Sequence, residues 1–255
     1  METSILQNRR LLYRSISFIF WIIIWEIIAL LINKSIYLPT PIKTFEALIY
    51  HMQTIVFWKT IGATIIRVTV GFIIACILGS LLGIICGINN FIYEIINPII
   101  VAIKSTPVIS FILIAIIWLK SRNVPIFICF LMCFPIIWTS AVEGISHVDK
   151  RLIEMSYVYK VQKKYIIKHI YIPSIVPYIR TAMITALGLG WKVTVAAEVL
   201  SNPKFSIGNN LYNAKVYVES EQLFAWTIVV IILSLILEYL FKHIIKKILP
   251  VRIQK

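Results

Sequence analysis

The sequence predicts an all-α polytopic membrane protein with about six transmembrane helices. Two observations carry this. Hydrophobic residues make up 60% of the 255 and charged residues 14%, with a mean hydropathy of +0.90, whereas a soluble domain is nearer half apolar and a quarter charged. Several apolar runs also reach the roughly 20 residues that a helix needs to cross about 30 Å of hydrocarbon. Backbone polar groups cannot stay open in lipid, so runs of that length must be helices.

The first span, Ile16–Ile32, follows the basic start Arg9, Arg10 and Arg14. No small-x-small cleavage site comes after it, so a retained span is expected rather than a removed signal. In the second span, Ile61–Ile88, the residues Gly71, Ala75, Gly79, Gly83 and Gly87 recur in steps of four and put one smooth stripe on a helix face. Apolar side chains gain little by leaving lipid for one another, so close backbone approach relies on small residues. The stripe predicts a tight helix–helix contact, within the subunit or between two copies.

The third span, Ile95–Leu119, is interrupted by Lys104-Ser105-Thr106-Pro107. Proline there removes a backbone hydrogen bond and kinks the helix. Interrupted spans are tolerated where they face protein or a wet cavity, and in transporters binding sites lie there. A purely structural kink accounts for the residues equally well. The remaining spans are Val124–Val142, Ile179–Leu200 and Leu223–Ile245. This divides the chain into a tail, first span and loop over 1–58, a core of five spans over 59–245, and a tail over 246–255.

A net charge of +14 raises nucleic acid as a partner, but orientation in the bilayer explains it better. Arg9, Arg10, Arg14, six Lys/Arg between Lys150 and Lys168, and Lys242, Lys246, Lys247, Arg252 and Lys255 fall on one side of six spans. Lys34, Lys43, Lys59, Lys120, Arg122, Lys204 and Lys215 fall on the other. The two-to-one excess puts both termini and the 143–175 loop in the cytoplasm. Cys76, Cys86, Cys129 and Cys133 sit inside apolar runs without zinc-ligand spacing and read as small buried hydrophobes. No histidine pair has metal-binding spacing. There is no Gly-x-x-x-x-Gly-Lys loop for ATP and no Gly-x-Ser-x-Gly turn, so the residues supply no enzyme chemistry.

The 143–175 loop stands apart from the bilayer segments. It is basic and amphipathic, and it suggests two short helices with a turn. Ile166, Ile167, Ile170 and Tyr171 share one face of the second, with Lys164, Lys168 and His169 opposite. Such a unit either lies on the membrane surface or presents an apolar knob with a charged rim to another protein.

Charges inside spans cost roughly 2.5–3.5 kcal/mol, so each is a functional candidate. Lys104 and Lys192 fall mid-span. With Thr106, Ser110, Trp191 and Thr194 they are the candidates to line a translocation path, and two lysines on such a path would favour an anion. The plainer reading pairs each lysine with Glu26, Glu94 or Glu198. Arg67 and Glu198, nearer the outer face, are expected to snorkel to water.

Several motifs in order resemble those of the permease subunits of ABC importers, in the nitrate/sulfonate/taurine branch. Glu154-Met155-Ser156, then Lys160, then Ile170-Tyr171-Ile172-Pro173 is similar to the EAA loop of that family. Tyr37-Leu38-Pro39-Thr40-Pro41, Arg67 with Gly71, and Trp191 through Ala196-Ala197-Glu198 agree with it. Three positions depart. Lys160 replaces the usual loop glycine, so the tight turn it provides is expected to be made otherwise. Lys120 and Leu113 replace a common glycine and a common proline.

The resemblance implies a type I ABC-importer permease fold. It further implies a translocation path formed by two copies of the chain, homodimeric, in a prokaryotic inner membrane. Glu154, Met155, Ser156, Tyr157, Val158, Lys160 and Pro173 would belong to a coupling helix docked on a separate ABC ATPase that holds ATP and Mg. An external solute-binding protein would deliver a small anionic solute such as nitrate, a sulfonate or taurine. A thiamine-precursor importer fits the same family. A stand-alone secondary transporter is the rival from another class, but its paired inverted repeats are not seen here.

Overall fold

The computed structural model describes residues 2–248, with α-helices and no strand among them. Residues 249–255 of the expected tail, with Arg252 and Lys255, lie outside the described residues, as do the side chains of Arg9, Arg10 and Arg14. The helices are α1 Glu2–Ile32, α2 Pro41–Met52, α3 Ile55–Ile88, α4 Asn90–Ser105, α5 Val108–Trp118, α6 Val124–Ser146, α7 Lys150–Val158, α8 Lys163–Ile166, a π-helical stretch Ile167–Tyr171, α9 Ile172–Ser201, α10 Ile207–Val216 and α11 Ser220–Ile248.

Four helical runs are long and apolar enough to cross a membrane: Ile55–Ile88, Val124–Ser146, Lys163–Ser201 and Ser220–Lys247. α4 and α5 form a pair bent by 104°, and Ile16–Ile32 is a shorter apolar helix. The six expected spans are therefore four long ones, one broken one and one short one.

Two elements differ from expectation. The third span is interrupted at the expected residues but turns more sharply than a kink: Thr106 and Pro107 both take extended ψ values (134° each) between α4 and α5. Pro107 cannot donate to Ile103, and the residue before a proline is pushed out of the helical region. The second helix of the 143–175 loop is no separate piece, because it runs unbroken from Lys163 into the fifth span. Pro173, at the end of the EAA-like motif, lies in the first turn of α9, inside this continuous helix. The Ile172 N–H bonds back to Ile167 O, a π-type register, and this wider turn accommodates the proline ring that an ordinary α-helix would exclude.

Two compact units make up the chain. In the unit of Met1–Lys59 and Asn210–Val230, the Trp25 indole donates to Pro39 O at 3.0 Å and its ring lies 5.9 Å from Phe224. Trp226 packs between His51 and Phe57 at 5.4 and 5.2 Å.

The unit of Thr60–Asn209 and Ile231–Lys255 is organised around α6. The small-residue stripe of α3 lies directly against it. A methyl group at Gly71 would sit 2.5 Å from Ile126 O, one at Gly83 2.6 Å from Ala141 Cβ, and one at Gly87 2.6 Å from Ile145 Cβ. Gly79 meets Ile137 and Ala75 is fully buried, so the contact is made within the subunit. Gly190 of α9 meets α6 too, where an added Cβ would fall 2.8 Å from Cys133 Sγ. Ile112 and Ala115 of α5 close a core with Ile128 and Met132 of α6 and Val193 and Ala197 of α9. Ile66, Ile73, Ile77 and Leu81 of α3 are exposed, as a lipid-facing surface requires.

Candidate functional site

The loop helix α7 is defined at both ends. The Asp149 carboxylate accepts from the Arg151 N–H at 2.9 Å, filling one of the bonds that a helix start leaves open. At the other end Val161 N–H bonds to Ser156 O at 2.9 Å and Lys160 N–H to Tyr157 O at 3.0 Å, which is a Schellman motif. Lys160 has φ 50°. The turn is made without glycine: the lysine adopts the left-handed conformation itself, at a cost of roughly 1–2 kcal/mol.

Ser156 is buried and its hydroxyl donates to Ile153 O at 2.6 Å. Glu154, Met155, Tyr157, Val158 and Lys160 are exposed, Val158 at 79%. Ser156 thus marks the buried side of the helix, while Met155, Tyr157 and Val158, joined by Tyr159, stand out as an apolar knob. A cluster of large apolar side chains on a short polar helix is the mark of a surface awaiting cover.

Lys104, the last basic residue of α4, donates from Nζ to Thr139 Oγ1 of α6 at 2.7 Å. The two border an open cavity of about 380 Å³, together with Tyr93, Asn97, Trp138 and Glu143. Thr106 and Ser110, on either side of the break, are half-buried, and the Thr106 hydroxyl is tied to Ala102 O. Sequence reasoning missed Thr139 and Glu143. They stand one turn apart on one face of α6, and Glu143 is the one charged residue of that helix, which was the available signal.

The α9 candidates separate by helix phase. Trp191 and Thr194 are buried, with the Thr194 hydroxyl bonded to Gly190 O at 2.7 Å. Their expected position on an open path is corrected, because residues 190, 191, 194, 197 and 198 turn into the subunit against α6 and α3. Lys192 points the other way and is exposed, as are Thr181, Thr185 and Ala196. Neither Lys104 nor Lys192 has an ion-pair partner among the described residues, whose ion pairs are Lys43–Glu221, Arg67–Glu198 and Lys242–Glu238.

Glu198 is committed elsewhere. Arg67 Nη1 donates to Glu198 Oε1 at 2.7 Å and to Phe205 O at 3.0 Å, and Nη2 donates to Lys204 O at 3.0 Å. Glu198 Oε2 accepts from the Thr64 hydroxyl at 3.1 Å and the Gly208 N–H at 3.2 Å. Both side chains are buried, which corrects the expected snorkelling to water. The two charges are cheaper to satisfy with each other and with backbone groups than to extend past the packed turn at 202–208. The cluster ties α3, α9 and that turn together.

A broken helix pair, small-residue packing against a central helix, intramembrane cations and an anchored loop helix together describe a membrane transport subunit. Residues 79–250 match the family described as binding-protein-dependent transport system inner membrane component, and the chain belongs to that family. It is a multi-pass membrane permease, a transport component rather than a catalyst.

Over 207 residues the chain is 26% identical to the bicarbonate transport system permease protein CmpB of Synechococcus elongatus, covering 76% of this chain and 73% of that one. It is 29% identical to the nitrate import permease protein NrtB of Leptolyngbya laminosa, over 76% and 69% of the two chains. With the taurine transport system permease protein TauC of Escherichia coli it shares 22% identity over 89% and 84%. Nitrate and taurine permeases are the branch that its motifs resemble. In fold it is similar to a chain of the MetNI methionine ABC transporter in an inward-facing conformation, with TM-score 0.58 and 17% identity over 74% of this chain and 93% of that one.

Proposed function

We propose that the chain is the translocation subunit of an ATP-driven importer, working as a pair of copies, with its termini and the 143–175 loop in the cytoplasm. α7 is the coupling helix, inserted into a groove of a separate ATPase subunit that holds ATP and Mg. An external binding protein delivers a small anionic solute. The relatives carry bicarbonate, nitrate and taurine by name, all of which bear an anionic group or form one, and the two unpaired lysines Lys104 and Lys192 suit that charge.

The observation that carries this reading is α7 itself. A nine-residue helix, capped at both ends and with Ser156 on its buried side, holds Met155, Tyr157 and Val158 outward in a fixed geometry. A mechanical link must be ordered before its partner arrives, since a floppy loop would absorb the motion it should transmit. After the capped turn at Lys160, one helix runs from Lys163 to Ser201 and gives a stiff lever from the loop into the membrane.

The test is a cysteine crosslink. With the four native cysteines replaced, Val158→Cys is co-expressed in membranes with the cognate ABC ATPase. An ATP-sensitive crosslink between the two subunits is the expected result. A folded, inserted protein that never crosslinks there would make α7 a lipid-surface helix and overturn the coupling role.

A further inference from the structure

The cavity between α4 and α6 carries two opposite charges that do not meet. Lys104 reaches it from the end of α4 and is steered by its 2.7 Å bond to Thr139. Glu143 lines the same cavity one helical turn beyond Thr139 on α6, which sets their Cβ atoms about 5–6 Å apart. Lys104 and Glu143 form no ion pair with each other. The lysine is held by a neutral hydroxyl instead. A site shaped for a bare anion would gain nothing from Glu143 and would be weakened by it, since like charges repel at this range.

The wall between the charges is aromatic. Tyr93 and Trp138 stack with ring centroids 5.7 Å apart and 11° between planes, and both line the cavity. Aromatic faces attract ammonium groups. Trp138 is 2% exposed, and its indole N–H is the one buried side-chain polar atom that lacks a hydrogen-bond partner among the described residues.

Resting on the permease reading above, we infer that this cavity is a solute subsite for a small zwitterion, an amino-alkyl sulfonate or carboxylate. The acid group sits at Lys104 and Thr139, and the ammonium group sits at Glu143 against the Tyr93–Trp138 wall. An acid and an amine separated by two or three carbons bridge the gap between the two charges, and neither charge then stays uncompensated. Nitrate and bicarbonate, which have no cationic end, leave Glu143 opposed to nothing.

The permease–ATPase complex in lipid nanodiscs, without nucleotide, tests this by direct binding of radiolabelled taurine, and of 2-hydroxyethanesulfonate, which keeps the acid and lacks the amine. Wild type is expected to prefer taurine. Glu143→Gln should weaken taurine roughly tenfold or more, the scale of a lost charge-assisted hydrogen bond, and strengthen 2-hydroxyethanesulfonate, which is then relieved of a like charge. Lys104→Met should weaken both. Equal effects of Glu143→Gln on the two compounds overturn the proposal. So does an absence of binding by taurine, β-alanine and glycine betaine alike at about 10 mM, a range that a functional transport site must reach. The Val158→Cys crosslink does not involve this cavity. A crosslink without zwitterion binding removes the zwitterion and keeps the importer; binding without a crosslink does the reverse.

Discussion

Arg67 and Glu198 meet at 2.7 Å inside the subunit, with side chains 7% and 0% exposed, although 131 residues separate them in the chain. The pair is surrounded by further bonds: Thr64 and Gly208 N–H reach Glu198, and two backbone carbonyls receive the guanidinium. Removing one member therefore strands a desolvated charge. Arg67→Met or Glu198→Gln is expected to destabilise the protein by about 3–5 kcal/mol, whereas replacing both by apolar residues of similar volume should cost much less. Thermal unfolding in detergent, read as loss of the monodisperse peak on size exclusion, checks both halves of the cycle.

Gly83 and Gly62 lie on the same helix and should respond in opposite ways to alanine. A Cβ at Gly83 would overlap Ala141 Cβ at 2.6 Å and Trp138 O at 2.8 Å, and a backbone carbonyl cannot rotate away. Gly83→Ala should lower stability by about 1–3 kcal/mol. Gly62 has nothing within 4 Å of the added methyl, so Gly62→Ala should be neutral or stabilise by about 0.5–1 kcal/mol through helix propensity. The same unfolding measurement compares them, and equal losses at both sites would mean that the α3–α6 contact does not depend on the stripe.

Lys160 occupies the left-handed position of a complete Schellman motif. Glycine carries no steric penalty there, so Lys160→Gly should stabilise the loop by about 1 kcal/mol. Hydrogen exchange at the Val161 amide should slow by about fivefold for that gain. Lys160→Val, with branching at Cβ, should speed it.

How much of this was legible follows from the kind of signal each feature sends. The spans and the α3 stripe were legible because hydropathy and four-residue spacing are local. The break at Thr106–Pro107 was marked by the proline, but the 104° turn depends on what α4 and α5 pack against. Pro173 misled, since proline usually marks a helix boundary and a π-type register at Ile167–Tyr171 let the helix pass through it. A charge within a span says that a partner exists without saying which, so the Arg67–Glu198 bond was out of reach of any single-sequence argument. Trp191 and Thr194 were within reach: their phase with Gly190 and Ala197 puts them on a small-residue face that packs inward, away from Lys192.

Lys192 provides the last prediction. It is exposed in the subunit on a face shared with Thr181, Thr185 and Ala196, and an added methyl at Gly188 on that helix would meet nothing. Against lipid, a lysine near the middle of a span costs roughly 2.5–3.5 kcal/mol, and two threonines beside it add polar groups that hydrocarbon does not solvate. This face is therefore expected to meet water or a second copy across a path, while Ile77 on α3, 54% exposed among isoleucines and leucines, meets acyl chains. In a cysteine-free background, Lys192→Cys should react with a charged, membrane-impermeant thiol reagent in sealed vesicles of one or the other orientation, and Ile77→Cys should not. Transported solute in excess should slow the reaction at Lys192→Cys by several-fold if the position lines the path. Labelling of neither cysteine in either orientation would place Lys192 against lipid and remove it from the path.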